Sequence, residues 1–139
     1  MQDSAVNRGG CLCGRIRYEA RGPVTNLCFC HCESCRRAVG AAPVAWGTVE
    51  ESAFAVTRGE LAVFHSSPNV SRGFCPHCGT SLTYKNSERP GEVDVTLASL
   101  DEAAALVPVR HIWVQDKVAW PAGADGLPRY ATVPRASEP

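Results

Sequence analysis

Net charge is the first thing this sequence lacks: 14 lysines and arginines face 14 aspartates and glutamates over 139 residues. A chain so balanced has no general attraction to nucleic acid or to an anionic membrane, and no long basic arm supplies phosphate contacts. Long apolar runs are missing too. No stretch of roughly 18 apolar residues is available to cross a bilayer. Residues 1–8 carry no apolar run behind a basic segment, so no signal peptide is read. Helical periodicity is scarce, and there is no repeat, heptad or low-complexity block. The chain therefore reads as soluble and cytoplasmic, and its length suits one domain with a modest core.

Against these absences stand eight cysteines. They fall in three groups: Cys11-Leu12-Cys13, the run from Cys28 through Cys30, Cys32 and Cys35, and Cys75-Pro76-His77-Cys78. In a secreted domain such a count would mean a disulfide framework. In a reducing compartment, C-x-C and C-x-x-C spacing points to metal, and neighbours this close make strained bridges that gain little loop entropy. Zinc takes tetrahedral sulfur ligands, and the spacing suits two ions.

Cys75 and Cys78 form a knuckle that Gly79 lets turn, which is half of a closed site. Cys11 and Cys13, two apart on an expected strand, share a face and complete a structural site of four cysteines, unless both are simply buried. His77 inside the knuckle is expected to face solvent or support a ligand, and His65 has no ligand neighbours in sequence. The other site is Cys30, Cys32 and Cys35. Three thiolates can hold an ion from three corners and leave the fourth for substrate, the mark of catalytic zinc. Arg36 and Arg37 follow directly, placed to offset the thiolate charge or hold a substrate carboxylate. Cys28 stays open: a fourth local sulfur closing the site, a disulfide partner, or a buried bystander. A redox switch in the 28–35 run is a further reading.

The rest of the chain alternates short strands and turns. Residues 1–8 are expected to form a flexible N-terminal arm. Ile16, Tyr18 and Ala20 alternate with charged residues, predicting a half-buried strand over 11–20. A helix is expected over 33–39, stopped by Gly40. Strands are expected over 42–49, 79–84, 92–98 and 111–114, with a hairpin from 54–57 to 61–64 around Gly59 and a short helical piece over 101–106. Trp46, Phe64, Trp113, Trp120 and Phe29 are aromatics for a core or a pocket wall. The pattern predicts a mostly β domain.

Taken together, Gly10-Cys11-Leu12-Cys13-Gly14 with Ile16 and Tyr18, Cys30-His31-Cys32 with Cys35-Arg36, Gly73-Phe74-Cys75 with Cys78-Gly79-Thr80 and Leu82, and His111-Ile112-Trp113-Val114 resemble the glutathione-dependent formaldehyde-activating enzyme (GFA) family, which includes centromere protein V-like domains. Gly126-Leu127-Pro128-Arg129-Tyr130 is similar to the end of that domain. The resemblance covers about residues 9–131, leaving 132–139 as a tail. It implies an Mss4-like fold of several small coiled antiparallel sheets held by zinc. It also implies two zinc ions, a structural one on Cys11, Cys13, Cys75 and Cys78 and a catalytic one on Cys30, Cys32 and Cys35; Arg36 joins the catalytic set by its place directly after them. The implied activity is a carbon–sulfur lyase reaction on a small thiol adduct such as S-hydroxymethylglutathione, interconverting it with glutathione and formaldehyde. The competing reading is a non-catalytic zinc-binding interaction module. Nucleic acid and membrane are not expected partners, and the sequence carries no signal for oligomeric state.

Overall fold

Tyr18 begins the fold's logic, because a large ring on a short strand needs cover from both sides. A computed structural model of the chain describes residues 5–120 and 126–134. In it β1 (Val6–Gly10) and β2 (Arg17–Arg21) form an antiparallel hairpin, and β5 (Phe54–Arg58) adds to β2 to make a three-stranded sheet. Ile16, Tyr18 and Ala20 all point inward and are buried, as their alternation predicts. Tyr18 packs on Phe54 and hydrogen-bonds Ser99 at 2.7 Å.

The strands β3 (Thr25–Cys30), β4 (Val44–Glu50), β6 (Ala62–Ser67), β7 (Val70–Phe74), β8 (Ser81–Asn86), β9 (Glu92–Thr96) and β10 (Arg110–Ile112) build a seven-stranded sheet in the order β10-β3-β4-β9-β8-β7-β6. All its pairings are antiparallel except β10 beside β3. One α-helix among the described residues, α1 (Glu33–Val39), follows β3 and ends at Gly40, whose φ of 72° is the left-handed cap that glycine supplies at no steric cost. The core between the sheets holds Ile16, Tyr18, Leu82, Val95, Leu97 and Leu100. No helix among the described residues is long and apolar enough to cross a membrane.

The mostly β, Mss4-like architecture therefore stands, and the structure redraws several of its parts. The N-terminal arm is shorter than expected, because residues 6–8 pair with Arg21, Ala20 and Glu19; residues 1–4, and 135–139 of the tail, lie outside the described residues. The strand expected over 11–20 begins only at Arg17, and Cys11 and Cys13 occupy the turn before it. The expected hairpin from 54–57 to 61–64 does not form. Gly59, at φ 76°, lies so close to the Arg15 carbonyl that a Cβ would collide with it, and there the chain leaves one sheet for the other. The helical piece over 101–106 shrinks to a 3-10 turn, Ala103–Ala105. The last strand ends at Ile112, because Trp113 adopts a left-handed φ of 55° and starts a 3-10 turn, Val114–Asp116.

Candidate functional site

The Cys11–Cys13 turn and the Cys75–Cys78 knuckle meet where the two sheets join. The Sγ atoms of Cys11, Cys13, Cys75 and Cys78 all lie within 4.8 Å of one another. Cys11 and Cys13 are 3.6 Å apart and Cys13 and Cys75 3.8 Å. Sulfurs at about 2.3 Å from one tetrahedral ion would be separated by about 3.8 Å, so the donor set fits zinc, whereas a disulfide needs contact near 2 Å. Backbone amides already point at these sulfurs: Ile16 donates to Cys11 at 3.2 Å, and His77 and Cys78 to Cys75 at 3.4 Å each. The Thr80 hydroxyl, 3.2 Å from Cys78 Sγ, leads the contacts that pull that thiol down to about 5. His77 is not a member of the cluster, and its Nδ1 meets Arg15 at 2.9 Å.

Cys30, Cys32 and Cys35 form a second cluster, again within 4.8 Å. Its geometry follows from one helix start. Cys30 ends β3, Cys32 is the N-cap of α1, and its Sγ accepts from the Cys35 amide at 3.2 Å as a serine would in that position. Cys35, in the first turn, is buried and held well below the ordinary thiol range, at about 5, by Cys30 first, then by Cys32 and Arg72. Cys30 is raised by sharing a hydrogen with Cys35 and by burial. Arg72 supplies the cluster's positive charge. Buried on β7, it donates to Cys35 Sγ at 3.6 Å and to Ser66 Oγ at 3.0 Å, and lies 5.0 Å from the centre of the Tyr84 ring.

The cluster opens onto a cavity of about 400 Å³. Every strand of the large sheet contributes to its lining: Ile112, Cys28 and Cys30, Trp46, Asp94, Tyr84, Arg72 and Ser66, from β10 across to β6. The register explains this. Arg72, Tyr84, Asp94 and Thr48 are successive cross-strand partners, and so are Arg110, Cys28 and Trp46, so two rows of side chains run across one face. Arg89 grips Asp94 with two hydrogen bonds of 2.9 Å, and Thr48 donates to Asp94 at 2.6 Å. Trp46 is buried, and its Nε1–H has no hydrogen-bond partner among the described residues.

Of the residues singled out in the sequence, the seven cysteines assigned to two sites assemble as two clusters. Arg36 and Arg37 do not reach the cavity. The helix rotates them away from Cys35, and Arg37 pairs with Glu33 at 3.0 Å. Cys28 stands outside the three-sulfur cluster and lines the cavity wall, its thiol pushed up by burial and by Asp94. Trp113 lines the cavity, whereas His111 packs behind it against His31, with Nδ1 to Nε2 at 2.8 Å, and against the Phe29 ring. Phe64 and Trp120 are exposed. Sequence reasoning missed Arg72, Arg89 and Asp94. Nothing in the sequence marked Asp94: its alternation with Val93 and Val95 predicts a solvent-facing residue, whereas the structure buries both faces of β9.

The comparisons with known proteins agree with this geometry. Residues 6–116 match the family described as glutathione-dependent formaldehyde-activating enzyme. A Schizosaccharomyces pombe protein named as an uncharacterized lyase is 31% identical over 84 residues, which is 59% of this chain and 61% of that protein. The chain thus spans less than two thirds of that relative's length. A crystal structure of a Rhodobacter sphaeroides protein is 26% identical, with a TM-score of 0.61, covering 75% of this chain and 98% of that one. With the match running from β1 to the turn after β10 and embracing both cysteine clusters, the chain belongs to the glutathione-dependent formaldehyde-activating enzyme family.

Proposed function

We propose that this protein is a zinc-dependent carbon–sulfur lyase that separates and rejoins a small thiol and an aldehyde, with glutathione and formaldehyde as the pair that the family description names. The observation that carries the reading is the inequality of the two clusters: four sulfurs where the sheets join, three beside a cavity. Eight unpaired cysteines suit a reducing, cytoplasmic setting.

Cys30, Cys32 and Cys35 would hold the reactive ion, and Cys11, Cys13, Cys75 and Cys78 the structural one. Bound there, zinc would accept the substrate thiol as a further sulfur ligand and favour its deprotonated, nucleophilic form. Arg72 offsets the negative charge that the thiolates bring together. Trp46, Val70, Tyr84 and Ile112 supply apolar walls that limit water around the reacting atoms. In the synthetic direction the thiolate pair attacks the aldehyde carbon and the carbon–sulfur bond forms. The carbonyl π pair moves onto oxygen, which takes up a proton equivalent to the one the thiol released. The lyase direction returns the proton and breaks the same bond. Tyr84 accepts from Asn86 at 3.4 Å and keeps its own hydroxyl hydrogen to give to such an oxygen.

Metal analysis tests the reading, with two zinc ions expected per chain and one after Cys32→Ser. Exchange between formaldehyde and a thiol, followed by NMR line shapes, should be accelerated by the intact protein and not by that variant. One zinc in the intact protein would overturn the two-site scheme.

A further inference from the structure

Behind the main cavity lies a side chamber of about 180 Å³ lined by Asn26, Cys28, Trp46, Thr48, Arg89, Asp94, Arg110 and Ile112. It shares Cys28, Trp46, Arg89, Asp94 and Ile112 with the cavity over the three-sulfur cluster, so the two spaces adjoin. The chamber is built on one cross-strand row, in which Arg110 of β10, Cys28 of β3 and Trp46 of β4 are successive partners.

Its polar groups can be accounted for one by one. Asp94 is neutralised by the two-pronged contact with Arg89, and Arg89 also holds Glu92 at 2.8 Å. Thr48 gives its hydrogen to Asp94, and Asn26 gives one to Thr48 at 3.4 Å. Two donors remain. The indole Nε1–H of Trp46 has no partner, although the residue is only 6% exposed. The Arg110 guanidinium has no ion pair or side-chain hydrogen bond among the described residues. A buried N–H without an acceptor is destabilising, because it has given up its hydrogen bond to water and gained none in return. Such a group is retained at little net cost where a ligand supplies the acceptor.

We propose that this chamber is a carboxylate subsite, in which Trp46 Nε1–H and the Arg110 guanidinium receive the carboxylate of a compact mercaptocarboxylate whose sulfur sits at Cys30, Cys32 and Cys35. The spacing sets the ligand's length. Cys28 and Cys30 lie on the same face of β3, so the row and the cluster are about 7 Å apart along the strand. That distance is bridged by a chain of a few bonds between sulfur and carboxylate. A short thiol acid has its sulfur and its carboxylate at that separation, so both ends of one small molecule can be held at once. Cys28 contributes by being small: a larger side chain in the middle of the row would divide the chamber from the cavity. The placement of the sulfur rests on the lyase reading above; the placement of the carboxylate does not.

Two probes separate these parts. The first is protein loaded with cobalt(II), titrated with 3-mercaptopropionate, 2-mercaptoethanol, cysteamine and glutathione, and read by the thiolate-to-cobalt absorption band. 3-Mercaptopropionate should bind at least about tenfold more tightly than 2-mercaptoethanol or cysteamine, the factor expected of one charge-assisted hydrogen bond. Arg110→Met, on the exposed edge strand, should remove that preference and leave 2-mercaptoethanol unchanged. The second probe is the Trp46 indole N–H resonance, assigned by its loss in Trp46→Phe and titrated with propionate, which has no sulfur. Propionate should shift it in the native protein and not in Arg110→Met. Equal affinities for the first three thiols, or a Trp46 resonance that propionate leaves in place, would overturn the subsite. A propionate shift with no absorption band from any thiol would keep the subsite and overturn the sulfur site instead.

Discussion

Arg72 and Cys35 come from opposite sides of the cavity, 37 residues apart in sequence, and meet at 3.6 Å. A buried guanidinium beside a sulfur ligand stabilises the thiolate by charge and costs several kcal/mol if left without it. Arg72→Met should therefore weaken metal binding at the three-sulfur cluster roughly ten- to hundredfold, measured by chelator competition, while the four-sulfur cluster keeps its ion. Tyr18 gives a pH test of the core. Burial pushes its phenol from 10 up to about 12. As the folded value is the higher one, the stabilisation is complete below pH 10 and is lost as pH rises towards 12, because the unfolded chain ionises first. Urea titrations across that window should show the loss in the native protein and a smaller one in Tyr18→Phe. Neither residue's role could be read from sequence. Tyr18 was legible as an inward residue from its alternation, but the charge partner of Cys35 has no fixed spacing from it, so no motif marks Arg72.

Among the elements, α1 was the most legible, because its cap and its stop are local. That locality makes a sharp experiment possible at Cys32, which is both a cap and a candidate ligand. Serine is itself a good N-cap, so Cys32→Ser should keep the helix while losing the metal, and Cys32→Ala should lose both and cost about 1 kcal/mol more. Circular dichroism melts of the metal-free variants isolate the cap. The strand order was much less legible. A turn at Gly59 between two apolar segments looks the same whether the segments pair or part, and only the contact with Arg15 decides. Gly59→Ala should be more destabilising than Gly22→Ala in the same denaturant assay. Both residues have left-handed φ, but an added Cβ at Gly22 meets nothing within 4 Å, whereas at Gly59 it collides with the Arg15 backbone.

For the molecule as a whole, the four-sulfur cluster ties the β1–β2 turn to the knuckle between β7 and β8, and so one sheet to the other. Zinc bound there would contribute folding free energy directly, whereas zinc at the three-sulfur cluster would mainly serve the cavity. Cys75→Ser should lower the melting temperature far more than Cys32→Ser, and a strong chelator should do to the native protein what Cys75→Ser does. The cysteine groups made both clusters legible before any fold was known; which faced a cavity depended on the strand order, and that was not. The cavity has a wider consequence. Since its wall is drawn from every strand of the large sheet, the cavity has no single address in the chain. A saturation survey of the proposed lyase activity should show a comb of sensitive positions, every second residue on strand after strand, and no isolated hot segment. Relatives that handle different adducts would then differ through scattered substitutions on one face of the sheet, beneath a set of cysteines that stays the same.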